Sequence, residues 1–441
     1  MHMKKLFVAL AVLASLQIAN AQVNKDAEAA KKKIEAAKAA TQNEKKAANL
    51  GTWLKLGQAY VEAYNVVQGN GYVGANRADL QLIMTGVKPV KSEKVKVGEQ
   101  QMSVDHYETA DYYFSGDRLA MIVTTHPAVE DPLGGALEAY VKAAALDVKG
   151  KKTKDITEAI GGIHDKLSGD AVNAYSLSDY ALSSKLFERA YEASLVEPYA
   201  KVDTNAVYNT GLTAWIANDV VRAKAFFEKC LEYKYSGEDG DVYSRLATLA
   251  ERDGNKDLSL KYLEEGFVLY PKSQSILIGL INYYTSNNGS PERLFELLDV
   301  AKANEPKNAS LWYVEGNIRL KMDPPQVEKA IEAYDKCTEI DPNYEFGYIG
   351  KGVYLYNHAV ELQEKASFEP DDAKFNALVE EYEKTLKACI EPFEKAYETT
   401  KDASIKSSIA EYIKNACFRF RTDPEYKAKY EKFDAIVASS K

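Results

Sequence analysis

The chain has 441 residues, 46% of them hydrophobic and 27% charged, a composition that allows a large buried core and excludes an intrinsically disordered protein. Its 56 Lys and Arg against 65 Asp and Glu give a net charge of -9, so no basic, phosphate-seeking surface is implied and nucleic acid is not an expected partner. Acids and bases alternate along the sequence, as in Glu328-Lys329, which is how solvated helix faces read.

Lys4 and Lys5 precede the apolar run Leu6 to Ala14, and the stretch closes on Ala19-Asn20-Ala21, the small-x-small pattern that signal peptidase requires. Residues 1–21 therefore read as a signal peptide that leaves Gln22 first. The apolar run is far shorter than the roughly 20 residues that span a bilayer, and no later stretch approaches that length. No cysteine follows the run, which argues against a lipid anchor. The expectation is an exported, soluble protein of the periplasm, with outer-membrane association or secretion also open. The short signal with Gln after the cut resembles those common in Bacteroidota.

The Ala- and Lys-rich segment within residues 22–49 reads as an N-terminal helix. Next comes Trp53-Leu54-Lys55-Leu56-Gly57-Gln58-Ala59-Tyr60, in which Trp53, Leu56 and Tyr60 share one helical face and Gly57 permits close approach of a second helix. This W-x2-L-G-x2-Y spacing resembles the first helix of tetratricopeptide (TPR) repeats. A second-helix pattern of small, large and small residues recurs along the chain at Ala136-Tyr140-Ala143, Ser183-Phe187-Ala190, Ala223-Phe227-Cys230, Ser259-Leu263-Gly266, Leu294-Leu298-Ala301, Ala330-Tyr334-Cys337 and Cys389-Phe393-Ala396. First-helix small slots fall at Ala171, Gly211, Ala247, Ile281, Gly316 and Gly352, bracketing the family's roughly 34-residue period, with Ile281 a poor fit. Pro271, Pro306 and Pro342 stand where second helices must end.

The resemblance implies an all-α fold, a TPR superhelix or solenoid of antiparallel helix pairs, about seven repeats long. The first repeat, residues 50–147, is split by an insert at about 68–131. Its runs Lys94 to Val97, Met102 to Tyr107, Asp111 to Phe114 and Leu119 to Thr125 predict a small antiparallel sheet of three or four strands. The solenoid continues over 148–398, with an insertion near 362–376 flanked by extended helices, and 399–441 reads as C-terminal capping helices.

Candidate chemistry is sparse. Gly69-Asn70-Gly71-Tyr72-Val73-Gly74 fits G-x-G-x-x-G but follows a helix rather than a strand, so it reads as a loop and no nucleotide cofactor is expected. The five histidines lack metal-ligand spacing, although His106 and His126 are both at the sheet and could meet. No serine elbow is present, and no acid, base and nucleophile converge, so an enzyme is not expected. Cys230, Cys337 and Cys389 occupy small slots of the repeat; a Cys389–Cys417 bond stays open because successive helices carry the two.

In TPR arrays the first helices line a concave groove, which here places Gln58, Tyr208, Trp215, Thr248, Asn282, Tyr313, Asn317, Val353 and Tyr356 on the partner-binding side. Aromatic and amide groups of this kind hold an extended peptide or a helix. The Lys and Asn clamp of chaperone-binding relatives is missing, since Tyr208, Ser244, Ile278 and Tyr313 stand at its positions. The sequence thus points to a non-enzymatic scaffold for an unidentified protein partner, an outer-membrane or periplasmic component among the candidates. A glycan-binding component of an outer-membrane uptake system is the alternative, because the same groups suit sugars. Oligomeric state is left open.

Overall fold

A computed structural model describes residues 25–84, 87–287 and 289–439; the signal peptide read over residues 1–21 lies outside the described residues. The chain divides into two compact units at Gly237 and Glu238. The first begins with α1 (Lys25–Thr41), a short α2 (Glu44–Ala47) and α3 (Leu50–Gln68). The segment predicted as one N-terminal helix is therefore two, because Asn43 leaves the helical region and its side chain accepts from the Lys46 N–H to start a new turn. The insert follows: α4 (Arg77–Ile83), then β1 (Lys91–Val97), β2 (Gln100–His106), β3 (Ala110–Ser115) and β4 (Arg118–Thr124), a four-stranded antiparallel meander in the order 1-2-3-4. Next come α5 (Pro132–Leu146), which returns to pack on α3, then α6 (Thr153–Ser176), α7 (Tyr180–Ser194), α8 (Thr204–Ile216) and α9 (Val220–Glu232).

The second unit holds α10 (Asp241–Arg252), α11 (Lys256–Leu269), α12 (Gln274–Ser286), α13 (Pro291–Asn304), α14 (Ala309–Lys321) and α15 (Val327–Ile340), packed as successive pairs. Beyond them lie the long α16 (Glu345–Phe368) and α17 (Asp372–Ala388), then α18 (Ile390–Thr399), α19 (Ala403–Arg419) and α20 (Pro424–Ser439). The described residues thus form an all-α solenoid of helix pairs with a small antiparallel sheet inserted in the first repeat.

One local device reverses the chain inside a pair. Ser178, Asn218 and Gly254 adopt left-handed φ of 63°, 61° and 75°. The next residue in each case, Asp179, Asp219 or Asn255, donates its N–H to Ala174, Ala214 or Ala250 O at 2.8–2.9 Å, closing the preceding helix. The same residue's side chain then caps the following helix, accepting from Leu182, Arg222 or Leu258 N. Second helices end differently: α11, α13 and α15 stop two residues before Pro271, Pro306 and Pro342, because the residue preceding a proline is pushed out of the helical region.

Pairs close by inserting a large second-helix residue at a small first-helix slot. A Cβ added at Gly57, Gly211, Gly316 or Gly352 would stand 2.8, 3.0, 2.5 or 2.9 Å from the ring of Tyr140, Phe227, Tyr334 or Phe393. These are the middle members of the small-large-small triplets. Cys230, Cys337, Cys389 and Cys417 are all buried, and none of them stands in a disulfide.

In the insert, Leu80, Met84, Tyr112, Phe114, Leu119 and Ile122 share a core of their own. Arg77 stacks its guanidinium over Phe114 at 3.7 Å and donates to Asp105 and Ser103 at 2.5 and 2.8 Å, which fixes α4 across the sheet. The Tyr112 hydroxyl donates to Gln68 O and accepts from Gly71 N, so the glycine-rich loop that leaves α3 is held on the sheet. Asn173 on α6 donates to Ile122 O at 3.0 Å and ties β4 to that helix.

Candidate functional site

In the second unit the first helices α14 and α16 face each other across a cleft of about 570 Å³ whose floor is Tyr334 of α15. The ring fits there because Gly316 of α14 and Gly350 of α16 lack side chains; a Cβ at either would come 2.5 Å from Cε1. The Tyr334 hydroxyl donates to Asn317 Oδ1 at 2.7 Å, which commits the amide oxygen and leaves the NH2 group able to donate. Burial pushes the Tyr334 hydroxyl well above its ordinary pKa, so it stays a neutral donor.

From Gly350 the helical period carries Tyr354, Asn357 and Glu361 onto the same wall, with His358 beside them. Tyr354 and His358 lie with ring planes 10° apart and centroids at 5.8 Å. Across the cleft Tyr313 leans on Tyr344 and Phe346, at 6.3 and 5.7 Å and at interplanar angles of 71° and 46°. Burial pushes the Tyr344 hydroxyl up to about 12. The result is a channel of aromatic rings and amides, with one carboxylate, Glu361, at its far end.

The first unit has a cleft of about 1050 Å³ between α3 and the insert. One wall is the exposed face Gln58, Glu62 and Asn65 of α3, and the other is Tyr107, Glu108 and Thr109 at the turn between β2 and β3. Thr109 donates to Val67 O at 2.6 Å, which pins the turn to the C-terminal end of α3. Glu62 is held by Lys33 of α1.

The structure distributes the sequence-predicted groove residues unevenly. Tyr313 and Asn317 meet in the second-unit cleft, joined there by Val353. Gln58 lines the first-unit cleft. Tyr208 and Trp215 flank Phe227 at 6.1 and 6.0 Å and are half-buried, with Tyr208 also against Tyr235. Thr248 and Asn282 are exposed on their helices, the Thr248 hydroxyl donating to Ser244 O. Tyr356 packs edge-on against Tyr412 at 5.0 Å, alongside the C-terminal core. Sequence reasoning missed Tyr354, Asn357, His358 and Glu361, although counting helical turns from Gly350 finds the face they share. His106 and His126 part company: His106 stands between Asp111 and Glu93 at 2.7 and 3.1 Å, whereas His126 contacts Thr125.

Among the described residues no cluster of three His, Cys, Asp or Glu side chains is placed to hold a metal, and no helix is long and apolar enough to cross a membrane. No family model and no curated protein matches the chain. Solved structures similar to it include YrrB, a TPR protein with an unusual peptide-binding site, at 20% identity over 43% of this chain and 96% of that one, with a TM-score of 0.34. MamA from Desulfovibrio magneticus RS-1 is similar at 16% identity, over 41% of this chain and 96% of that one, with a TM-score of 0.34. A further MamA structure reaches 20% identity, 43% and 96% coverage and a TM-score of 0.31. At these values the likeness adds nothing to what the helix pairing of this chain already establishes.

Proposed function

We propose that the chain is a non-enzymatic TPR-type scaffold that holds a segment of a partner protein in the second-unit cleft, working in the bacterial periplasm or at the cell envelope. The observation that carries this reading is the pairing of two successive first helices across the cleft, with Tyr313, Asn317, Tyr354 and Asn357 accessible on its walls. Amide groups match the alternating donors and acceptors of a peptide backbone, and tyrosine offers contact area with little side-chain entropy to lose. The signal-like N-terminal sequence supports export. The channel shape and its amides favour a peptide over a sugar, which stacks on a flat exposed platform.

In-cell cross-linking and recovery of the tagged protein, beside a Tyr313→Ala, Asn357→Ala variant with verified fold, tests the reading. The parent should enrich one protein from the periplasmic fraction and the variant should lose it, since truncating central aromatic contacts removes most of an interface's affinity. Equal recovery from both would move the contact out of the cleft. Enrichment of no protein, together with retention on an oligosaccharide array, would replace the scaffold by the glycan-binding alternative.

A further inference from the structure

The second-unit cleft continues past the end of its repeat. Helix α16 runs for 24 residues where its counterpart α14 runs for 13. The cleft-facing series Gly350, Tyr354, Asn357 and Glu361 extends at the same helical spacing to Glu364 and Phe368. Glu361 is shared: it closes the first cleft and opens a second, of about 610 Å³, lined besides by Glu364, Lys365, Phe368, Glu369 and Leu378 of α17, so that three carboxylates face one lysine. The opposite face of the extension is packed, with Ala359, Leu362 and Ala366 buried, so α16 is anchored as far as its tip. Phe368 on the open face is nevertheless 80% exposed. Between residues 361 and 375 the sequence carries five acids and two lysines, a net charge of -3.

We propose that this continuous face, from Tyr313 to Phe368, binds a polypeptide segment in which Lys or Arg alternates with large apolar side chains. The inference rests on the reading of the cleft as a peptide groove and adds the chemistry of the partner. Apolar side chains of the segment pack against Tyr354 in the cleft and against Phe368 and Leu378 on the hairpin, while its cations meet Glu361 and Glu364. Charge complementarity chooses the occupant: an apolar stripe with an acidic margin rejects acidic partners and steers basic ones. Exposed carboxylates in a screened setting also make the binding salt-dependent.

The test uses the full mature chain and fluorescein-labelled peptides that share Leu and Phe positions and carry Lys, Gln or Glu at the remaining ones, read by fluorescence anisotropy. The Lys peptide should bind about tenfold tighter than the Gln peptide, and the Glu peptide weakest of all. Glu361→Gln with Glu364→Gln should erase that preference, and Phe368→Ala should weaken the Lys peptide about tenfold. The charge-matched pair Glu238→Gln with Glu251→Gln, at the start of the second unit, should change neither. Equal affinity for the Lys and Gln peptides overturns the inference, as does an equal loss in the charge-matched control or indifference to Phe368→Ala. If the Gln peptide binds, is lost in Tyr313→Ala and ignores the hairpin variants, the cleft stands and its extension falls. Failure of the Lys peptide to bind at all overturns the extension, and the cleft is then decided by the cross-linking experiment.

Discussion

The ring of Tyr334 occupies the space that a side chain at Gly316 would need: a Cβ there would stand 2.5 Å from Cε1 of the tyrosine. This single contact closes the α14–α15 pair and forms the floor of the cleft, so the packing rule of the repeat and the shape of the candidate site are one feature.

Gly316→Val should therefore lower the unfolding free energy by about 2–3 kcal/mol, the upper part of the range for overpacking a core. Gly162 on α6 supplies the contrast, because nothing lies within 4 Å of a Cβ placed there. Gly162→Ala should raise stability by about 0.5–1 kcal/mol through helix propensity alone. Urea denaturation of both variants checks the pair, and a neutral Gly316→Val would show that Tyr334 can yield.

Glu315 is buried between Lys302 and Arg319, each of which pairs with it, and Lys302 also lies 3.9 Å from the Trp312 ring. Burial pushes the Glu315 carboxyl up, but the hydrogen bonds from Lys302 and Arg319 outweigh it and hold the pKa below its ordinary 4.5. Glu315→Ala would leave two largely covered cations without their carboxylate and should cost about 3–5 kcal/mol. In the parent, the stability from this group is present above pH 4.5 and lost as pH falls through the lower folded value. Stability measured from pH 7 down to pH 3 should show the parent converging on the variant.

His164 on α6 binds Asp203, the N-cap of α8, at 2.8 Å and Asp165 at 2.9 Å. The hydrogen bond to Asp203 raises the His164 pKa above 6.5 against the opposing effect of burial. A raised folded pKa contributes stability that is complete below 6.5 and disappears as pH rises through the folded value. Replacing His164 by Asn should thus destabilise the protein at pH 6 and do so measurably less at pH 9. A pH-independent difference between parent and variant would sink this assignment.

Burial pushes the thiols of Cys389, Cys337 and Cys417 up to about 12, 11 and 11. The native protein should show no thiol that reacts rapidly with a disulfide reagent at pH 8, because the thiolate is the nucleophile. Unfolding without reductant should release four reactive thiols. A count of two would reveal the Cys389–Cys417 bond that the sequence left open.

Much of the fold was legible because the TPR-like pattern is written in local terms. Gly57, Gly211, Gly316 and Gly352 mark close approaches, Tyr140, Phe227, Tyr334 and Phe393 supply the matching large residues, and Pro271, Pro306 and Pro342 stop helices at predictable points. The four strands of the insert also followed from alternation and turn residues, with their ends displaced by only a few positions. Helix α4 escaped notice, since Arg77 to Ile83 is too short for a helical period to stand out.

The sequence by itself determined the main element types and the pairing of Gly57, Gly211, Gly316 and Gly352 with their large residues, because each is written as a short local pattern. Only the tertiary structure decided which exposed faces become a site. Tyr354 and Tyr356 are two residues apart on one helix, yet the first lines the cleft and the second packs against Tyr412 of α19. A step of two residues turns a helix by about 200°, and what covers each side depends on which distant helix the chain brings back against it, a long-range contact that no local period encodes.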